Sequence, residues 1–128
     1  MSIEKKIISA TSITPEVILY PEGIIRMKGQ LIPENASVFF NDVTEWVNKY
    51  LENPADTTCI DIILDYINST GNRYLLDMIR RITVTHLKSN SDKFIINWHY
   101  EEEDEIILDH GKIYSSLLEV PINYIVRT

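Results

Sequence analysis

The sequence predicts one α/β domain in which two main helices and a short third helix pack on a mixed sheet of four to six strands. Three observations predict it. The chain has 128 residues, of which 45% are hydrophobic, and this suffices for one hydrophobic core. Strand-like apolar runs alternate with helical stripes, and a Pro21-Glu22-Gly23 turn separates two early apolar runs. We therefore expect a single domain spanning residues 1–128.

The first elements are predicted to be antiparallel strands. Residues 7–10 indicate a short edge strand, and residues 16–20 and 24–28 are apolar-rich. Proline and glycine between the last two runs favour a tight turn, so these runs should form a hairpin.

The first helix is predicted after Pro33-Glu34-Asn35 and should end at Asn53-Pro54, because proline cannot continue a helix. Helical spacing puts an apolar stripe on one face, which we expect to lie against the core. Its members are Phe39, Val43, Trp46, Val47, Tyr50 and Leu51.

A strand, helix and strand follow, and this order favours parallel strands joined by a right-handed crossover. The first strand covers residues 59–67 and stops at Asn68-Ser69-Thr70-Gly71. The helix beyond it has apolar residues at Leu75, Leu76, Met78, Ile79 and Ile82. Residues 89–92 indicate a loop, and residues 94–98 a strand with Phe94, Ile96 and Trp98 on one side.

The last part of the chain predicts a short helix and a final strand. Five acidic residues, 101–105, lead into an apolar segment that we expect Gly111 to terminate. Residues 120–126 supply the last strand.

Charge and cysteine content indicate which partners and which cellular location to expect. The formal net charge is −7 and the chain has only 12 Lys and Arg residues, which argues against nucleic acid or an anionic membrane as partner. No apolar run approaches the roughly 20 residues of a membrane span. The single cysteine, Cys59, is expected to be a small buried hydrophobe. We expect a cytoplasmic protein.

Enzyme signatures are missing from the sequence. It has no nucleophile elbow, P-loop, dinucleotide fingerprint or H-E-x-x-H motif. His86, His99 and His110 are dispersed, so surface histidines are the simpler interpretation than a metal site formed with the acidic run. We expect a non-enzyme with neither cofactor nor metal.

The hydroxyl turn is the candidate functional site. Ser69 and Thr70 lie where a strand is followed by a helix, and the free N–H groups and positive dipole of a helix N-terminus can hold a phosphate. The alternative is an ordinary N-cap, for which Ser, Thr and Asn are common. A small domain or enzyme that binds a phosphate-bearing metabolite or nucleotide would use the same terminus.

The chain resembles the SiaC family of bacterial regulatory phosphoproteins over nearly its whole length. The resemblance depends on the order and spacing of several motifs. These are Thr14-Pro15, Pro33-Glu34-Asn35, Leu64-x-Tyr66-x-Asn68-Ser69-Thr70, Trp98-x-Tyr100 with Glu103-Asp104-Glu105, and Gly111.

This resemblance implies a STAS-like fold, the fold of anti-sigma-factor antagonists, and a role in signalling. It implies phosphorylation by a dedicated Ser/Thr kinase and dephosphorylation by a metal-dependent Ser/Thr phosphatase. The unphosphorylated form of such a protein can bind and activate a diguanylate cyclase. The expected function is therefore a phosphorylation-controlled binding module.

The family usually has the sequence Asn-Thr-Ser-Ser at this turn and is phosphorylated on the first hydroxyl residue. The resemblance therefore assigns the phosphate to Ser69. Gly71 departs from that pattern and makes the turn look like the Asp-Ser-Ser-Gly turn of anti-sigma-factor antagonists, whose phosphorylated position falls on Thr70. We prefer Ser69 and keep Thr70 as the alternative. The partner is expected to contact the residues around this turn, namely Tyr66, Asn68, Gly71, Asn72 and Arg73.

Overall fold

The computed structural model describes residues 3–89 and 93–127 and has the predicted mixed α/β architecture. Its elements are, in order, β1 (Lys6–Ile8), β2 (Glu16–Tyr20), β3 (Ile24–Leu31), α1 (Ala36–Glu52), β4 (Thr58–Ile67), α2 (Ser69–Lys88), β5 (Phe94–Glu101), α3 (Glu105–Leu118) and β6 (Asn123–Arg127). Residues 90–92 of the predicted loop lie outside the described residues.

The strands form one sheet in the order β1 to β6. β1, β2 and β3 are antiparallel, as the hairpin turn predicts, and β3 to β6 are parallel. One row of paired residues across the sheet is buried and contains Val17, Met27, Ile62 and Trp98. The adjacent row lies on the opposite, helix-free face and contains Ile18, Arg26, Asp61 and Asn97.

The first helix packs on the buried side of the sheet, but two residues of the predicted stripe are less buried than expected. Val43, Trp46, Val47 and Tyr50 are buried as predicted, whereas Phe39 and Leu51 are only partly buried. Phe40 takes the core position instead and is 1% exposed, with its ring stacked on Tyr74 of α2. The core stripe is therefore rotated by one residue at the start of the helix.

The prediction that Gly111 ends the third helix is wrong. α3 continues to Leu118, and Gly111 lies in its middle against the indole of Trp98. A Cβ at position 111 would come within 2.7 Å of Trp98 Cδ1, so glycine permits this close packing. The C-cap that follows Leu118 is Glu119, which has a positive φ of 56°.

Three smaller predictions also need correction. The edge strand is Lys6–Ile8, and the last strand begins at Asn123, three residues later than predicted. Cys59 is only partly buried, because it lies on the helix-free face of the sheet. The prediction that Phe94, Ile96 and Trp98 share one side of β5 is confirmed. Trp98 and Ile96 are buried, and Phe94 packs against the same core.

A buried polar chain links α1, β4 and the end of α2. Thr58 Oγ1 lies 2.7 Å from the Tyr50 hydroxyl and 2.7 Å from Nε2 of His86. All three side chains are buried. Burial lowers the pKa of His86 below its ordinary value of 6.5, because the charged imidazolium is desolvated there.

Folding stability is therefore expected to fall as the pH drops below about 6.5. The unfolded chain gains a proton on His86 in that range and the folded chain does so only at a lower pH, so protonation favours unfolding. Urea unfolding at several pH values, compared with His86→Gln, measures this contribution. Equal pH dependence in both proteins would contradict it.

No helix among the described residues is long and apolar enough to span a membrane.

Candidate functional site

The candidate site lies at one edge of the sheet, where three helices begin. β3, β4 and β5 are parallel, and α1, α2 and α3 follow their carboxyl ends. The three helix N-termini therefore meet at the same edge. In parallel sheets, this edge commonly carries the binding site.

Asn68 caps α2 and joins it to the preceding strands. Its side-chain oxygen accepts a hydrogen bond from the Gly71 amide at 2.8 Å, and its side-chain nitrogen donates to the Pro33 carbonyl at 2.9 Å. The Asn68 amide donates to the Leu31 carbonyl. Asn68 is therefore the N-cap of α2, and neither Ser69 nor Thr70 supplies the cap.

Ser69 and Thr70 both lie on the surface, in the first turn of α2. The Thr70 hydroxyl donates to the Asn68 side-chain oxygen at 3.3 Å. The hydrogen bonds found among the described residues include none from the Ser69 hydroxyl or from the backbone amides of Ser69 and Thr70. Ser69 is thus an accessible hydroxyl beside amide N–H groups that can donate hydrogen bonds to phosphate oxygens.

The other predicted site residues divide into exposed and inward-facing groups. Tyr66 is 63% exposed and Arg73 is also exposed, so both can contact another protein. Gly71 is buried against Leu31, where a Cβ would lie only 2.8 Å from Leu31 Cγ. Asn72 is partly buried.

Tyr114 is a residue of the site that the sequence did not indicate. Its hydroxyl donates to the backbone and side-chain oxygens of Asn72 and so links α3 to the first turn of α2. Burial raises the pKa of Tyr114, so the hydroxyl remains a donor at neutral pH. A tyrosine on a helix stripe is typical of a core residue, and no sequence signal distinguishes this one.

Both positively and negatively charged side chains lie around the hydroxyl turn. Arg127 of β6 pairs with Asp65, the residue before Tyr66, and the exposed Arg73 adds a second positive charge. The acidic residues that precede α3 lie at the same edge. Asp104 among them caps α3 by accepting a hydrogen bond from the Ile107 amide at 3.1 Å.

A metal site is not evident in the described part of the chain. No group of three His, Cys, Asp or Glu side chains there is arranged to hold a metal ion. His86 and His110 are in different helices, and His99 lies on the helix-free face of the sheet, 3.6 Å from Asp61. The site is therefore a hydroxyl turn with polar and aromatic neighbours.

Replacing Asn68 by alanine is expected to lower the free energy of unfolding by about 1–2 kcal/mol, because the cap of α2 is lost. Asn68→Ser is the control. Serine keeps a capping oxygen and loses the donor to Pro33 without adding a charge, so we expect a loss below about 1 kcal/mol. Chemical denaturation of the three proteins gives both values. An Asn68→Ala protein as stable as the wild type would show that the cap is unimportant.

Comparison with known proteins agrees with this architecture. A family model described as "SiaC family regulatory phosphoprotein" matches residues 8–127. An uncharacterised protein of Pseudomonas aeruginosa (strain UCBPP-PA14) is 24% identical over 87 residues, which are 68% of this chain and 68% of that protein.

Two crystal structures from Pseudomonas aeruginosa have the same fold. Apo-SiaC superposes with a TM-score of 0.86 at 20% sequence identity, covering 97% of this chain and 100% of that one. SiaC in a complex with the diguanylate cyclase SiaD, of which it is the activator, gives a TM-score of 0.84 at 21% identity, covering 95% and 99% of the two chains. The family match covers almost all of the sequence and the fold agrees, so this chain belongs to the SiaC family of regulatory proteins.

Proposed function

We propose that this chain is a non-catalytic signalling protein of the bacterial cytoplasm whose binding to an effector is switched by phosphorylation of Ser69. The observation that carries this proposal is the exposed Ser69 hydroxyl in the first turn of α2, with Asn68 already serving as the cap. A kinase can reach this hydroxyl, and the amides of the first turn can bind the product phosphate. Thr70 is the alternative residue.

The proposed switch is a local change of charge and hydration. Phosphorylation adds about −1.5 to −2 charges and three acceptor oxygens to an already acidic chain. Repulsion from an acidic partner surface, or the cost of removing water from the phosphate, would weaken binding without refolding the domain. The capped helix terminus supports this, because its geometry does not depend on the Ser69 side chain.

The proposed partners are a Ser/Thr kinase, a metal-dependent Ser/Thr phosphatase and an effector. A diguanylate cyclase is the proposed effector, since SiaC of Pseudomonas aeruginosa activates the cyclase SiaD. The proposal includes neither nucleic acid nor membrane as a partner, in keeping with the net charge of −7.

Mass spectrometry of the protein isolated from its own host tests the proposal. We expect an intact-mass adduct of one phosphate, located by peptide analysis on Ser69 and removed by a metal-dependent phosphatase. Label on Thr70 alone would move the switch by one residue. A protein without phosphate under growth conditions in which effector binding changes would contradict the proposal, and a retained nucleotide would favour a ligand-binding domain.

A further inference from the structure

The helix-free face of the sheet lacks a covering layer in the part of the chain that the structure describes. α1, α2 and α3 all contribute buried residues to the core on the other face. The strands β3 to β6 are parallel, and parallel sheets are almost always covered on both faces. An uncovered parallel sheet therefore indicates a surface that another protein layer can cover.

Apolar side chains are found on this face in every strand. Ile7, Ile95 and Ile125 are 55%, 43% and 37% exposed, and the strand pairing puts them on the helix-free side. The other apolar side chains on this side are better covered by their neighbours and are Ile18, Tyr20, Ile24 and Ile63. Extended apolar patches of this kind mark contacts with another protein.

An arginine without a partner lies in the middle of the face. Arg26 of β3 and Asp61 of β4 are paired across neighbouring strands, yet the ion pairs among the described residues include no contact between them. The Arg26 Nε is buried and has no hydrogen-bond partner there, which is unfavourable for a charged donor. Asp61 uses its Oδ1 atom, which accepts from the Asn97 side chain at 2.9 Å and lies 3.6 Å from His99 Nε2. The guanidinium and the second carboxylate oxygen can therefore each pair with another molecule.

Charge on this face is nearly balanced, and its two signs are separated. The basic side chains on the helix-free side of the strands are Arg26, Lys28 and Arg127, and the acidic ones are Glu16, Asp61, Asp65 and Glu101. These three positive and four negative groups leave a small excess of one negative charge, against −7 for the whole chain. Two of the basic groups lie on β3 and two of the acidic groups lie on β4. A second copy would thus meet little net repulsion and could pair basic β3 with acidic β4.

A two-fold arrangement makes this face complementary to itself. With the axis along the strands and midway between β3 and β4, β3 of one copy lies on β4 of the second copy. Arg26 and Asp61 are in the same row of the sheet, so each arginine meets the aspartate of the other copy and the contact occurs twice. Tyr20 and Ile95 also share a row and meet across the same interface. Sheets packed face to face keep their strands within about 30° of each other, so this alignment is an ordinary one.

The area of the face suits a dimer. Six strands, about 4.8 Å apart and about six residues long at about 3.3 Å per residue, give a face of roughly 500 Å². Two copies would cover about 1,000 Å² or more, because side chains add to this flat area, and a specific interface needs about that much. A flat sheet face also fits another sheet better than a small ligand, since ligand sites are concave.

We propose that the helix-free face is the interface of a symmetric homodimer, in which sheet packs on sheet and Arg26 of each copy pairs with Asp61 of the other. This inference goes beyond the proposed function and does not depend on it. α2 packs on the opposite face of the sheet, so both copies would keep Ser69 exposed. The dimer would therefore carry two accessible hydroxyl turns.

Sedimentation equilibrium of the recombinant, unphosphorylated chain measures the dissociation constant of the dimer, which we expect to be micromolar. Arg26→Glu puts a carboxylate opposite Asp61 of the second copy, and Ile95→Glu puts one into the apolar contact. Each should weaken dimerisation about tenfold or more. Val84→Glu is the matched control, because Val84 is 38% exposed but lies on α2. It should change the dissociation constant less than about twofold.

Mixing two charge variants tests the two-fold pairing directly. Asp61→Arg should also dissociate the dimer, because it puts a second arginine opposite Arg26. In a mixed dimer of Arg26→Glu and Asp61→Arg, however, both contacts join opposite charges. We therefore expect energy transfer between differently labelled chains in this mixture and not within either variant alone, with a dissociation constant within about tenfold of the wild type. A second chain could not rescue a defect that lies only inside the Arg26→Glu protein.

Three results would overturn the proposal. They are a wild type that stays monomeric at about 1 mM, a dimer that Arg26→Glu and Ile95→Glu leave unchanged, and a mixture that does not recover the dimer lost by two folded variants. Thermal unfolding shows whether each variant is folded. If Asp61→Arg is not, the comparison of Arg26→Glu and Ile95→Glu with Val84→Glu decides. Phosphate on Ser69 in a monomeric protein would leave the proposed switch intact, and a dimer without phosphate would do the reverse.

Discussion

Trp98→Ala is expected to lower the free energy of unfolding by about 3–5 kcal/mol, because a large, fully buried side chain is removed from the core. The indole also positions α3. Its N–H donates to the Ile107 carbonyl at 2.8 Å, and its ring lies against Gly111 and 5.1 Å from the Tyr114 ring. We therefore expect faster hydrogen exchange in α3 than in α1, in addition to the loss of global stability.

Trp98→Phe is the control that separates packing from hydrogen bonding. It keeps an aromatic ring in the core and removes the donor to Ile107, so a smaller loss is expected. Gly111→Ala tests the same contact from the other side. Alanine favours helices by about 1 kcal/mol, yet its Cβ would lie 2.7 Å from the indole, so a net loss is expected. A stable Trp98→Ala protein with unchanged exchange in α3 would contradict this account.

The sequence predicted the order of the elements because each strand and helix has the appropriate hydrophobic period. The hairpin, the parallel middle of the sheet and the common side of Phe94, Ile96 and Trp98 are confirmed. These features depend on residues close together in the chain. The preceding strand was predicted to stop at Asn68-Ser69-Thr70-Gly71 with a helix beyond it, and α2 begins at Ser69, inside this turn.

Features that depend on distant contacts could not be predicted. Glycine commonly ends a helix, and only the indole of Trp98 shows why Gly111 is needed inside one. Phe39 and Phe40 are neighbours in the sequence, and the stacking of Phe40 on Tyr74 decides which enters the core. Within the candidate site, the hydrogen bonds from Asn68 to Pro33 and from Tyr114 to Asn72 join residues that are 35 and 42 positions apart.

The separate tasks of Asn68 and Ser69 have a consequence for the proposed switch. Asn68 supplies the cap and the connection to β3, while Ser69 supplies an exposed hydroxyl. Substitutions at Ser69 should therefore alter binding with little effect on folding. This independence is what a phosphorylation switch requires, because both of its states must remain folded.

Ser69→Ala is expected to bind the effector constitutively, and Ser69→Asp to bind about tenfold more weakly or worse, since a carboxylate in the contact must be desolvated. Both proteins should unfold within about 0.5 kcal/mol of the wild type, because the residue is exposed and does not cap the helix. Calorimetric titration with each diguanylate cyclase of the host, expressed separately, measures binding. Denaturation in urea measures stability.

Thr70→Ala is the matched control, since Thr70 is an exposed hydroxyl residue in the same turn. Treating wild type, Ser69→Ala and Thr70→Ala with the host's kinase should label the first and third proteins only. Label in Ser69→Ala and not in Thr70→Ala would place the phosphate on Thr70. Equal binding by Ser69→Asp and the wild type would show that charge at this helix terminus does not control the effector, because both proteins keep the same capped α2.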